Sequence, residues 1–187
     1  MKIIGFVNNR KSKDENLAES EWEMVLKGDS SLLNGRKPFF MPEGATEIGA
    51  TECIILRVSR LGKEIAPRFA ERYYDAVAPG VDFIDLAALR RAQAEGRPWT
   101  RAIAFDYSLA IGKWGDAPLN PPIKGGRTAE DLVLSPEEAI AETSKTMTIR
   151  QGDLIYIQKK QAPRLVQKEE VIRIETDGEE KLYCKIK

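Results

Sequence analysis

Two side chains combine reactive chemistry with a place in a buried element: Cys53, within Thr51-Glu52-Cys53-Ile54-Ile55-Leu56-Arg57-Val58, and Asp82, within Gly80-Val81-Asp82-Phe83. A thiolate and a carboxylate are two ligands of a softer metal such as zinc, but such a site normally needs three or four. A buried structural cysteine is therefore the better reading of Cys53. Glu52 lies between the two positions that would share a strand face with each other, so its own side chain points to the opposite face. It reads as a solvated or paired strand carboxylate. The chain has no histidine. That removes the commonest general base, the one side chain with an unperturbed pKa of about 6.5, and with it any Ser-His or Cys-His pair. A perturbed Glu, Lys or Cys could serve instead, and nothing in the sequence marks one. There is also no Gly-x-Ser-x-Gly elbow.

The elements that must position these residues follow from periodicity and punctuation. Residues 51–58 are β-branched and aliphatic enough for a largely buried strand. Arg60-Leu61-Gly62-Lys63 turns the chain, and Pro67 suits the first turn of a helix carrying Phe69, Tyr73, Ala76 and Val77 on one face. Residues 80–83 form a short extended piece. A second helix, with Leu86 and Leu89 on its inner side, stops at Gly96 and Pro98. Upstream, Ile3 to Val7 reads as a strand ending at Asn8, Asn34-Gly35 as a turn, and Lys37-Pro38-Phe39-Phe40-Met41 as a strand near an edge. Downstream, residues 115–127 form a Pro/Gly-rich link. Ser135-Pro136-Glu137-Glu138 starts a helix with a capping Ser, Pro at the first helical position and a Glu able to reach back, with Ile140, Ser144 and Met147 facing inward. Residues 154–157 form an apolar run, Gln158 to Arg164 a solvated basic loop, and the tail a hairpin around Asp177-Gly178.

Several words of this sequence, taken together, are specific: Arg60-Leu61-Gly62-Lys63, Arg68-Phe69-Ala70, Arg72-Tyr73-Tyr74-Asp75, Gly80-Val81-Asp82-Phe83, Gly96-Arg97-Pro98-Trp99, Phe105-Asp106 and Ile111-Gly112-Lys113. Through them the chain resembles the fumarylacetoacetate hydrolase family, and its short bacterial members in particular. The resemblance implies one α+β domain over residues 1–187, a mixed β-roll or sandwich with about three short helices packed outside. Family enzymes hold Mg²⁺, Mn²⁺ or Ca²⁺ on a Glu-x-Glu pair and a later Asp, and cleave, decarboxylate or isomerise small β-diketo or acylpyruvate-type acids.

Residue by residue, the match at the site is poor. The metal positions fall on Thr51, Cys53 and Asp82, of which only Asp82 has the family's ligand type. One Asp and a hydroxyl supply too little for a hard cation, so the expected cofactor is none. In the family's loop motif Asn-Tyr-x-x-His-x-x-Glu, whose His and Glu transfer protons, Ser12 replaces the His and Glu15 remains. Ile103 stands where a Lys precedes the family's Phe-Asp, and an isoleucine can neither donate a hydrogen bond nor carry charge. Lys27-Gly28-Asp29-Ser30 resembles a Lys-Pro-x-Ser stretch beside the substrate. By resemblance, Lys27, Phe105 and Asp106 are the residues of the substrate pocket, although an isolated lysine is usually surface charge. The link at 115–127 replaces a family hairpin, residues 128–134 resume the match, and 158–187 diverge. There, bulky side chains stand in place of a glycine-rich turn that closes over substrate.

Acidic and basic residues balance at 29 each, so bulk charge draws the chain to neither nucleic acid nor membrane. The apolar start is too short for a signal peptide or a span, and two distant cysteines suit a reducing cytoplasm. The expectation is a cytoplasmic family member that has lost metal-dependent catalysis. It would act as a binding or assembly partner, as a homodimer or with an active relative, and a small-molecule acid remains a possible ligand. The alternative is a divergent family hydrolase, decarboxylase or isomerase. The homodimer rests on the family's habit and on the aromatic and arginine residues of 68–74.

Overall fold

The computed structural model of the protein describes residues 1–8, 22–116, 131–176 and 178–187. Its centre is a pair of long antiparallel strands, β4 (Ile48–Val58) and β5 (Tyr74–Asp85), paired from Ile48↔Asp85 to Val58↔Tyr74. Around them a mixed nine-stranded sheet is assembled from β1 (Ile3–Asn8), β2 (Trp22–Lys27), β3 (Leu32–Asn34), β6 (Leu109–Ile111), β7 (Gly115–Asp116), β8 (Leu154–Gln158) and β9 (Arg164–Leu165). The main order is β2-β1-β8-β4-β5-β6-β3, with β1/β8 and β3/β6 parallel and the other pairs antiparallel. β10 (Val171–Thr176) and β11 (Glu179–Lys185) form the expected separate hairpin, with Gly178 at φ +76°. That angle is where glycine is the easy choice.

Both faces of the central strands are buried, which is why β4 reads as a continuous apolar run. On β4, Ile54 and Leu56 join Ile4, Phe6, Ile155 and Ile157 in one core, roofed by α3 (Pro136–Thr146). The alternate residues Cys53 and Ile55 join Ile3, Ala78, Ile103, Leu109 and Tyr156 in another. A third core, under the β10–β11 hairpin, is built on Phe39 and Phe83, whose rings stack at 4.0 Å. The capping box of α3 is formed, with Glu138 N–H donating to Ser135 Oγ at 3.2 Å and Ser135 N–H to Glu138 Oε2 at 3.0 Å. Ile140 and Ser144 are buried and Met147 packs against the same core. α1 (Leu86–Ala94) starts at Asp85, whose carboxylate caps Ala88 N–H at 2.9 Å, and its Leu86 and Leu89 pack half-buried on the core; α2 (Thr100–Ile103) follows.

The structure departs from the sequence reading in three places. No helix runs from Pro67 through Val77: a 3₁₀ segment covers Pro67–Tyr73, and β5 begins at Tyr74. A fourfold apolar spacing over so few residues is compatible with either state, and the pairing of residues 74–85 with β4 decides it. Residues 37–41 do not form a strand but a single bridge, Phe39↔Ile186. Pro38 lies within that segment and Pro42 follows it, and neither has an N–H to extend a ladder. Finally, Gln158 is not part of a solvated loop. It is the last residue of β8 and is buried.

Candidate active-site region

The register of three adjacent strands brings one group of side chains to one face. Thr51 lies directly opposite Asp82, and Cys53 lies opposite Gly80 on β5 and Gln158 on β8. Glu52 points the other way, as alternation requires, and its carboxylate pairs with the Lys159 ammonium. Lys27 ends β2, where an exposed strand terminus would leave its ammonium in water. Instead the side chain is 0 % exposed and its Nζ lies 2.7 Å from Asp82 Oδ1, itself on a side chain 1 % exposed.

Lys27 Nζ is fully occupied. Besides Asp82 it donates to Ser108 Oγ at 2.8 Å and to the Ile103 carbonyl, with the Ser108 carbonyl at 3.3 Å. Ser108 Oγ in turn donates to the Ile103 carbonyl at 3.2 Å. The residue before Ser108, Tyr107, adopts φ +61°, a left-handed backbone that non-glycine residues rarely take. The other Asp82 oxygen is taken as well: Gln158 Nε2 donates to Oδ2 at 2.7 Å, while Gln158 Oε1 accepts from Asn8 N–H at 3.0 Å. The amide orientation of Gln158 is thus set from both ends.

Tyr156 completes the cluster, fully buried beside Asp82. Room for it comes from Gly5, where a Cβ would stand 2.1 Å from the Tyr156 ring carbon that bears the hydroxyl. Gly80 plays the same part for Cys53, whose sulfur would lie 2.9 Å from a Cβ there. The hydroxyls of Ser31, Thr51 and Tyr156 are buried without an aligned hydrogen bond among the described residues, and so is Asp82 Oδ1, whose contact with the Lys27 ammonium is an ion pair.

Burial dominates the protonation chemistry. It pushes the Asp82 carboxyl above the ordinary carboxylate range, against the pull of the Lys27 ammonium, then of Gln158 and the Tyr156 hydroxyl. Burial, followed by the charge of Asp82, pushes the Cys53 thiol well up, which keeps it from serving as a thiolate nucleophile. The same two causes push Tyr156 up.

Among the residues singled out from sequence, the structure brings together Thr51, Cys53, Asp82, Lys27 and Ile103, the last through its carbonyl and not its side chain. Phe105 packs toward the hairpin core, with its ring 6.2 Å from that of Phe39, and Asp106 is exposed. Ser12 and Glu15, and all but Gly115 and Asp116 of the 115–127 link, lie outside the described residues. Sequence reasoning missed Gln158, Tyr156 and Ser108. A glycine inside an apolar strand marks a close approach, so Gly5 was a signal for Tyr156. Among the described residues no three His, Cys, Asp or Glu side chains converge as a metal-binding group.

The sequence profile of the fumarylacetoacetate hydrolase C-terminal domain matches residues 5–186, nearly the whole chain. The chain belongs to the fumarylacetoacetate hydrolase family. Its fold is shared with solved structures of low identity. A Burkholderia cenocepacia protein assigned as a fumarylpyruvate hydrolase superposes with a TM-score of 0.83 at 17 % identity, covering 100 % of this chain and 88 % of its own. The fumarylpyruvate hydrolase of Pseudomonas aeruginosa, solved with Mn²⁺ and pyruvate, gives 0.77 at 17 % identity over 99 % of this chain and 88 % of its own. The 5-carboxymethyl-2-hydroxymuconate delta-isomerase of Mycobacterium smegmatis gives 0.80 at 18 % identity over 99 % and 78 %. No functionally curated protein matches this chain. No helix among the described residues is long and apolar enough to cross a membrane.

Proposed function

We propose that this family member has given up metal-dependent catalysis and acts by association, first of all with a second copy of itself. The observation that carries the reading is the state of Asp82. Of the three family ligand positions it alone supplies a carboxylate, and both its oxygens are already engaged: Oδ1 is ion-paired with the Lys27 ammonium and Oδ2 accepts from Gln158. A hard divalent cation takes six or more oxygens with anionic charge among them. Here it would meet a hydroxyl, a sulfur donor and a carboxylate already paired with a cation, so these residues do not fit the metal.

Association is supported by the exposed 3₁₀ segment. Phe69 is 40 % exposed with the guanidinium groups of Arg68 and Arg72 over its ring, and Leu61 in the preceding turn is 70 % exposed. Aromatic and arginine side chains are the vocabulary of protein interfaces. Two measurements test the reading. Acylpyruvates and fumarylpyruvate, offered with Mg²⁺ or Mn²⁺, should not be turned over above the buffer rate, and a metal-dependent turnover lost in Asp82→Asn would overturn it. Light scattering at micromolar concentration should return a dimer that Phe69→Glu converts to monomer; a monomeric parent contradicts the association.

The second reading is a divergent family enzyme acting on a small β-diketo or acylpyruvate-type acid. It is favoured by the activities named for the Pseudomonas and Mycobacterium neighbours, which share the fold.

A further inference from the structure

We propose that Lys27 is the resident cation of this site, a covalently tethered ammonium that neutralises Asp82 from within the chain. The proposal rests on the reading that the chain no longer takes a divalent ion, and goes beyond it by assigning the charge that neutralises Asp82. Three observations converge on it.

First, the ammonium is held as a bound cation is held. Four oxygens face it within 3.3 Å: Asp82 Oδ1, Ser108 Oγ, and the carbonyls of Ile103 and Ser108. They come from β5, from the end of α2 and from the turn before β6, so a cage drawn from separate elements surrounds one charge. Second, its carboxylate partner is the one residue that matches the family's ligand type, directly across the strand pair from Thr51. Third, the position that would carry a second pocket lysine is Ile103, whose side chain is buried and whose carbonyl accepts from Lys27. With an isoleucine there, Lys27 and Asp82 remain as one buried positive and one buried negative charge, each compensating the other.

If this assignment is right, what the site requires is a cation and not the lysine side chain as packing. Lys27→Ala removes three methylene groups and the ammonium, the atoms of n-propylammonium, and leaves the oxygen cage with Asp82 unpaired. n-Propylammonium chloride should therefore raise the melting temperature of Lys27→Ala saturably, while the same concentration of sodium chloride, or of the isosteric neutral control n-propanol, should not. If Lys27→Ala is unfolded without additive, the readout becomes recovery of its circular dichroism on titrating the amine. In Lys27→Ala/Asp82→Asn the amine should have no specific effect. Failure of the amine to stabilise or refold Lys27→Ala, or an equal response in the Asp82→Asn background, overturns the proposal. Mn²⁺ added to the unmodified protein separates the two levels of argument. A saturable Mn²⁺ effect that vanishes in Asp82→Asn overturns the loss of the metal itself, whereas a silent parent with a silent amine titration overturns only the role of Lys27.

Discussion

Replacing Lys27 by Met tests the buried ion pair energetically. The substitution keeps an unbranched side chain of similar length but removes the charge, leaving the Asp82 carboxylate with the Gln158 amide as its remaining strong donor. Removing one partner of a buried pair typically costs about 3–5 kcal/mol, because the other charge stays buried without compensation. In a domain of this size each kcal/mol moves the melting temperature by about 2–4 °C, so the expected loss is roughly 6–20 °C at neutral pH. The pH dependence gives a second signature. Burial already raises Asp82, and without Lys27 nothing cationic opposes it. A carboxyl whose folded pKa lies above its unfolded value destabilises the folded state above that window, and the penalty fades as pH falls through the folded pKa. The deficit of Lys27→Met relative to the parent should therefore shrink toward pH 4, as followed by urea unfolding at a series of pH values. Lys27→Met/Asp82→Leu should recover most of the loss, since replacing both charges by apolar groups is commonly neutral or stabilising. A cost under about 1 kcal/mol, flat with pH, would refute the argument.

Two further outcomes follow from the same structure. Gly5→Ala places a methyl group 2.1 Å from the Tyr156 ring and should cost about 1–3 kcal/mol by overpacking, a loss that Tyr156→Leu in the same chain should largely relieve; thermal unfolding of the two variants checks it. Asp153 accepts from Lys2 Nζ, from Lys2 N–H at 2.8 Å and from Arg150 N–H at 2.9 Å, and although burial pushes its pKa up, these donors hold it below the usual carboxylate range. Its contribution is present above the unfolded carboxylate pKa and lost as pH falls through the lower folded value, so Asp153→Asn should be less stable than the parent at pH 7 and approach it in strong acid.

Much of this architecture was legible locally. The capping box at Ser135, the β10–β11 hairpin and the orientation of Glu52 each depend on residues a few positions apart, and each is found. What was not legible depends on distance along the chain. Lys27 meets Ile103 across 76 positions, and Gln158 meets Asp82 across 76. The propensity of a lysine at a strand end, or of a glutamine before two lysines, points to solvent, and only the sheet order carries them inward. The same holds for residues 74–77, whose spacing suits a helix face until β4 offers a partner. That Lys27 pairs with Asp82 could not be read from the residues around either one.

The central claim is that no divalent ion binds at Asp82, and the most direct measurement is the melting temperature of the unmodified protein during titration with Mg²⁺ and Mn²⁺. An ion bound only by the folded state, at about 100 times its dissociation constant, adds roughly 2.7 kcal/mol and would raise the melting temperature by several degrees. The account predicts no saturable rise into the millimolar range. A saturable rise that disappears in Asp82→Asn would contradict it and return the enzyme reading to the front.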